Sequence, residues 1–140
     1  KEDAKDFKTT CMALELEPLI RVVIAGRKSG FMQYRPHGAR AYLNGISMLD
    51  ARIGEAFWAA YESDDQDTIS FILEKVEAPF FDRCAAKYGW HRTNKALLQA
   101  AGFMNRRDRM PLKHLDDKDY AVVEDVYNEV QVACQELFRA

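Results

Sequence analysis

Arg21-Val22-Val23-Ile24-Ala25-Gly26 and Ala41-Tyr42-Leu43-Asn44-Gly45-Ile46 are the two stretches on which the fold turns. Each is a short run of about five apolar or β-branched residues with glycine close by, the pattern of a strand buried on both faces in a parallel sheet. Gly26 ends the first run, and Phe31 to Tyr34 then makes a short helix that Pro36 and Gly38 stop before the second. The order is helix, strand, short helix, strand. Such alternation argues for parallel βαβ units, whose ligand sites lie at the C-terminal ends of the strands. Those ends are Gly26 to Ser29 and Leu43 to Ser47.

Upstream, Asp6 to Glu17 carries Phe7, Cys11 and Leu14 at helical spacing, and Pro18 closes the segment because a residue before proline avoids helical geometry. Near Leu49 the pattern changes: apolar spacing downstream is near 3.6, so helices and no further strand are expected. A helix from Asp50 has the stripe Ile53, Phe57, Ala60 and Tyr61. Another, starting at Asp67 or Thr68, has Ile69, Ile72, Leu73, Val76 and Phe80, with a kink expected at Pro79. Thr93 to Ala101 makes a shorter helix that stops at Gly102. Asp116 caps a last one bearing Val122, Val123, Val126, Tyr127, Val130, Cys134 and Leu137. Two strands alone leave both sheet edges open, so the chain is expected to be incomplete. The competing reading is a helical domain with a small appended sheet, complete as it stands.

Composition narrows the function. Hydrophobic residues make up 48% and charged residues 30%, the balance of a globular protein. Twenty basic against 22 acidic side chains give a net charge of −2, which provides no overall attraction to nucleic acid or an anionic membrane. No apolar run approaches the ~20 residues of a membrane span, and Lys1-Glu2-Asp3-Ala4-Lys5-Asp6 has no signal-peptide character. Cys11, Cys84 and Cys134 are odd in number and far apart, as reduced thiols of a cytoplasmic protein would be. His37, His91 and His114 show no metal-ligand spacing, so no metal site is expected.

Three local patterns then point the same way. Lys1-Glu2 opens the chain; Val23-Ile24-Ala25-Gly26 and Gly38-Ala39-Arg40-Ala41-Tyr42-Leu43-Asn44 form the two strand regions; and Lys95-Ala96-Leu97-Leu98-Gln99-Ala100-Ala101-Gly102 is followed by Arg109-Met110-Pro111-Leu112. In order and spacing these resemble the dihydrodipicolinate synthase and N-acetylneuraminate lyase family. There, Ile-Lys-Glu ends the sixth barrel strand, the next strand ends in Ser-Gly, Gly-Ala-x-Gly-x-Ile-Ser marks the eighth, and Lys-x-Ala-Leu-x-x-x-Gly leads to Arg-x-Pro-Leu. Phe80-Phe81-Asp82 and Gly89-Trp90-His91 resemble the family's sugar-acid-type members. The chain departs from the pattern in having Arg27-Lys28 where many members have two acidic residues, and Asn44 where they have serine.

The resemblance implies an α/β fold, the C-terminal portion of a (β/α)8 TIM barrel over residues 1–61, followed by a C-terminal helical region over 62–140. It implies a class I Schiff-base lyase, aldolase or dehydratase acting on pyruvate or another 2-keto acid, with no metal or organic cofactor. Lys1 would be the nucleophile. Gly26, Arg27, Lys28, Ser29, Leu43 and Asn44 would bind the substrate. The N-terminal half of the same barrel, with its carboxylate-binding loop and tyrosine, would be a partner, and the assembly would be a homotetramer.

The chemistry makes physical demands. A lysine amine attacks a carbonyl only when unprotonated, so its pKa of about 10.4 must be lowered by burial or nearby positive charge. Burial at a strand end would meet the first demand for Lys1, and Arg27 and Lys28 could meet the second while binding the acid's distal end. The blander readings are a solvated terminus for Lys1, a solvated turn for Arg27 and Lys28, a turn glycine at Gly26, and backbone satisfaction for Asn44. Arg106-Arg107-Asp108-Arg109 is read as a solvated loop with ion pairs, and Trp90-His91 as packing. The rival to the enzyme is a non-catalytic α/β and helical interaction module.

Overall fold

A computed structural model describes residues 7–16, 22–43 and 45–139. Of these, 69% are helical and 3% lie in strands. The chain folds as two compact units, one ending at Met48 and the other beginning at Leu49.

The first unit runs α1 (Phe7–Leu14), β1 (Ile24–Ala25), α2 (Lys28–Tyr34) and β2 (Tyr42–Leu43), with 3-10 turns at Arg35–His37 and Ile46–Met48. The strands are adjacent and parallel, Ile24 opposite Tyr42 and Ala25 opposite Leu43, as the alternation predicts. α2 starts earlier than expected. Arg27 is extended at its N-cap, and its carbonyl accepts from the amides of Gly30 (3.1 Å) and Phe31 (3.3 Å), so the first turn closes before the apolar residues begin. Gly38, with φ 97°, ends the turn that follows, a geometry a residue with a Cβ rarely adopts. Phe31, Tyr34, Ala39 and Ile46 are buried with Ile24, and Phe31 packs on Tyr42 with ring centres 5.0 Å apart. Phe7 of α1 stacks on Tyr34 at 5.3 Å.

The expected C-terminal portion of a (β/α)8 barrel is not what forms. Among the described residues the only sheet has two strands of two residues each, and helix dominates. The reason lies in burial. A continuous apolar run makes a long strand when both its faces are covered. Here Ile24, Ala25 and Ile46 are buried, while Val23 is 46% and Leu43 56% exposed. Val22 and Val23 precede the ladder, and Ile46 begins a 3-10 turn instead of extending β2.

The second unit contains no strand among its described residues. α3 (Ala51–Glu62) is capped by Asp50, whose carboxylate accepts from the Arg52 amide at 2.9 Å. α4 (Gln66–Phe71) is capped by Asp65, which accepts from the Thr68 amide at 3.1 Å and the Thr68 hydroxyl at 2.7 Å. α4 runs on through π-helical turns at Ile72–Glu77 and Pro79–Ala85 into α5 (Ala86–Tyr88). Proline has no amide to give the carbonyl four residues back. The helix answers by widening: the Ala78 amide bonds to the Leu73 carbonyl, five residues away, and the chain continues through Pro79. α6 (Trp90–Ala100) follows Gly89, whose φ is 83°. α7 (Asp117–Leu137) is capped by Asp116, which accepts from the Asp119 amide at 2.8 Å.

α7 packs on α6 and on the π-helical turns. Ile53, Phe57, Ile72, Val76, Phe80, Leu97, Val123, Val126 and Val130 are fully buried. Burying each such side chain contributes roughly 1.5–3 kcal/mol. No helix among the described residues is long and apolar enough to cross a membrane.

Candidate functional site

The residues expected to bind substrate gather where β1 ends. The Ala25–Leu43 register brings Gly26 beside Leu43 at the C-terminal edge of the strand pair, and Arg27, Lys28 and Ser29 follow as the chain enters α2. Gly26 has φ 105°, and the position a Cβ would take there meets nothing within 4 Å. Backbone conformation, not crowding, is therefore what calls for glycine, and the space beside it is open.

The side chains then separate. Lys28 is fully buried and is engaged within the fold, a rare placement for a lysine. Arg27 is half-buried, and Ser29 and Leu43 are exposed. A lysine and an arginine thus stand at the strand end, the first withdrawn from water and the second at its border. Lys1 and Asn44 lie outside the described residues, so the structure brings together Gly26, Arg27, Lys28, Ser29 and Leu43 only.

The second unit holds a polar cluster around Asp108, in the run expected to carry ion pairs. Asp108 Oδ1 lies 2.9 Å from Lys95 Nζ and 2.9 Å from His91 Nε2, and the Asp108 side chain is only 2% exposed. The Lys95 ammonium beside Asp108 holds its carboxyl below the usual carboxylate range; burial opposes this, and His91 adds to the lowering. His91 and Lys95 are four residues apart on α6 and so share a face. That spacing was the available signal, together with a single acid inside a run of three arginines.

Arg106, in the same loop, pairs with Asp117, donates to the Leu115 carbonyl at 3.0 Å and sits over the Tyr120 ring at 4.4 Å. The run is thus a set of ties between loop and helices, two of them out of solvent: the Arg106 and Asp108 side chains are 15% and 2% exposed. Trp90 stacks on Phe81 at 5.6 Å and meets Phe80 edge-on at 5.6 Å. Among the described residues, no group of three or more histidine, cysteine or acidic side chains is placed to hold a metal.

No protein-family model matches the chain, and neither the curated proteins nor the solved structures give a match.

Proposed function

We propose that this chain carries the chemistry of a class I Schiff-base lyase, an aldolase or dehydratase acting on a 2-keto acid, with Lys1 as the nucleophile. The observation that supports this reading is the fully buried Lys28 beside half-buried Arg27 at the C-terminal edge of the parallel strands. A positive charge at a strand end would disfavour protonation of a second amine brought beside it.

In this reading the Lys1 amine attacks the keto carbon, water leaves, and the iminium serves as the electron sink for bond cleavage, condensation or dehydration. Gly26 offers open backbone to the substrate, Lys28 and Arg27 face its distal end, and Ser29, Leu43 and Asn44 complete this wall. A cytoplasmic homotetramer with further substrate contacts from outside this chain belongs to the same proposal.

Trapping tests it. Pyruvate and borohydride added to the full-length protein should leave a reduced pyruvyl group on Lys1 and abolish turnover, and Lys1→Arg should take no label, because arginine is effectively never deprotonated. A label on Lys95 with Lys1 untouched would end the assignment. A non-catalytic interaction module is the second reading, favoured by exposed Phe103, Met104, Met110 and Leu112. Absence of any trapped adduct with a panel of 2-keto acids would select it.

A further inference from the structure

A groove of about 580 Å³ in the second unit is lined by Tyr88, Trp90, His91, Arg92, Leu112 and Lys113 together with Gly89 and Pro111. Its size is that of a small-molecule site. Its chemistry is one-sided: three of the lining side chains are basic types and none is a carboxylate. Arg92 and Lys113 have no ion-pair partner among the described residues. His91 is tethered by its 2.9 Å contact with buried Asp108, which fixes its ring at the groove.

Tyr88 adds a hydroxyl group. It is only 4% exposed. Lys87 Nζ donates to its hydroxyl oxygen at 2.9 Å, so that oxygen already serves as an acceptor. The hydroxyl proton is left without an acceptor among the described residues. Tyr88 lines the groove, and a phenol hydroxyl can donate its proton to a ligand oxygen. Donor side chains thus outnumber acceptors along the groove, and no carboxylate lines it.

The rest of the wall is flat and apolar. Trp90 is held by stacking on Phe81 and by the edge of Phe80, and it remains 39% exposed. Leu112 is 53% exposed. A guanidinium matches an oxyanion in fork geometry, and donors on Arg92, Lys113 and Tyr88 suit the three terminal oxygens of a phosphate monoester better than the two of a carboxylate. We propose that this groove binds a small phosphate monoester carried on a flat ring, the phosphate held by Arg92, Lys113 and Tyr88 and the ring lying against Trp90 and Leu112.

The probe is phenyl phosphate, with phenol and orthophosphate as its two halves. Trp58→Phe leaves Trp90 as the only indole, so emission from that variant reports the groove, and equilibrium dialysis reports binding independently. Phenyl phosphate is expected to bind saturably, with orthophosphate at least about tenfold weaker and phenol showing no saturation over the same range. Exchanging both cations, Arg92→Gln with Lys113→Gln, should weaken phenyl phosphate by about tenfold or more, and Tyr88→Phe by about fivefold, with unchanged circular dichroism. Absence of saturable binding below about 10 mM by dialysis, equal binding of phenol, or full affinity in the double variant would each overturn the proposal.

Discussion

Lys95 and Asp108 form an ion pair at 2.9 Å in which the carboxylate is 2% exposed while the lysine keeps 20% of its side chain at the surface. Lys95 also donates to the Arg107 carbonyl at 2.5 Å, so one ammonium ties the loop after α6 back onto that helix. The folded-state pKa of Asp108 lies below its unfolded value, chiefly because of the hydrogen bond from Lys95. A depressed carboxylate stabilises the fold above the unfolded pKa of about 4, and the contribution is lost as pH falls through the folded value. Lys95→Met is therefore expected to destabilise the protein more at pH 7 than at pH 3, because it removes the hydrogen bond that favours the ionised carboxylate, and that contribution fades as pH falls through the folded pKa. Urea unfolding of the variant and the parent at both values checks this, and equal losses at the two pH values would refute it.

Burial separates two valine and phenylalanine positions that look alike as apolar residues in a sequence. Phe80 is fully buried and touches Phe81 and Trp90 edge-on. Phe80→Ala should cost about 3–5 kcal/mol, the lost transfer energy plus the cavity left behind. Val23, 46% exposed, lies before the ladder. Val23→Ala should fall within about 0.5 kcal/mol of the parent. A loss of several kcal/mol at Val23 in denaturant titrations would show that its side chain is covered in solution, and with it that the sheet is longer than two residues per strand.

The three cysteines should differ in reactivity. Burial pushes the Cys84 thiol up to about 11, so the thiolate that alkylating agents attack is scarce at pH 8. Cys84 and Cys134 are buried, whereas Cys11 is partly accessible. Native protein treated with iodoacetamide at pH 8 should label first at Cys11 and last at Cys84, with all three reacting in urea. Rapid native labelling at Cys84, read by peptide mass, would mean that the π-helical turns open readily.

The parts of the fold that were legible follow from local rules. Parallel pairing of the two runs follows from the short helix between them, and the cap at Asp116 from a carboxylate placed to accept from helix-start amides. Burial on both faces of the strands was not legible, because an apolar run is the same string whether or not something covers it; Val23 and Leu43 show the difference. Pro79 was legible as an irregular point in its helix, but not that the winding there would be π-helical, since packing decides whether a missing amide breaks a helix or widens it. The grouping of Gly26 to Lys28 was legible, because chain order alone sets it at one strand end. The Asp108 cluster was not, because it joins α6 to a loop across 13 positions from Lys95.

Lys28 is where fold and function can be pulled apart. Its side chain is fully buried at the start of α2 and engaged within the fold, so removing it tests packing and charge together. Lys28→Met keeps an unbranched stem of similar length and discards the ammonium, while Lys28→Ala also leaves a cavity. If the charge serves the acid's distal end, Lys28→Met should still trap pyruvate on Lys1, because pyruvate has no distal group to lose. With a longer 2-keto acid carrying a second carboxylate or hydroxyls, the same variant should show KM raised by about tenfold with kcat nearly unchanged, the mark of lost ground-state binding. A purely structural lysine would instead lower thermal stability in both variants and leave the KM ratio between long and short acids where it was. Measuring that ratio in the parent, Lys28→Met and Lys28→Ala distinguishes the two, and an unchanged ratio would remove Lys28 from the substrate site while leaving the Lys1 assignment to the trapping result.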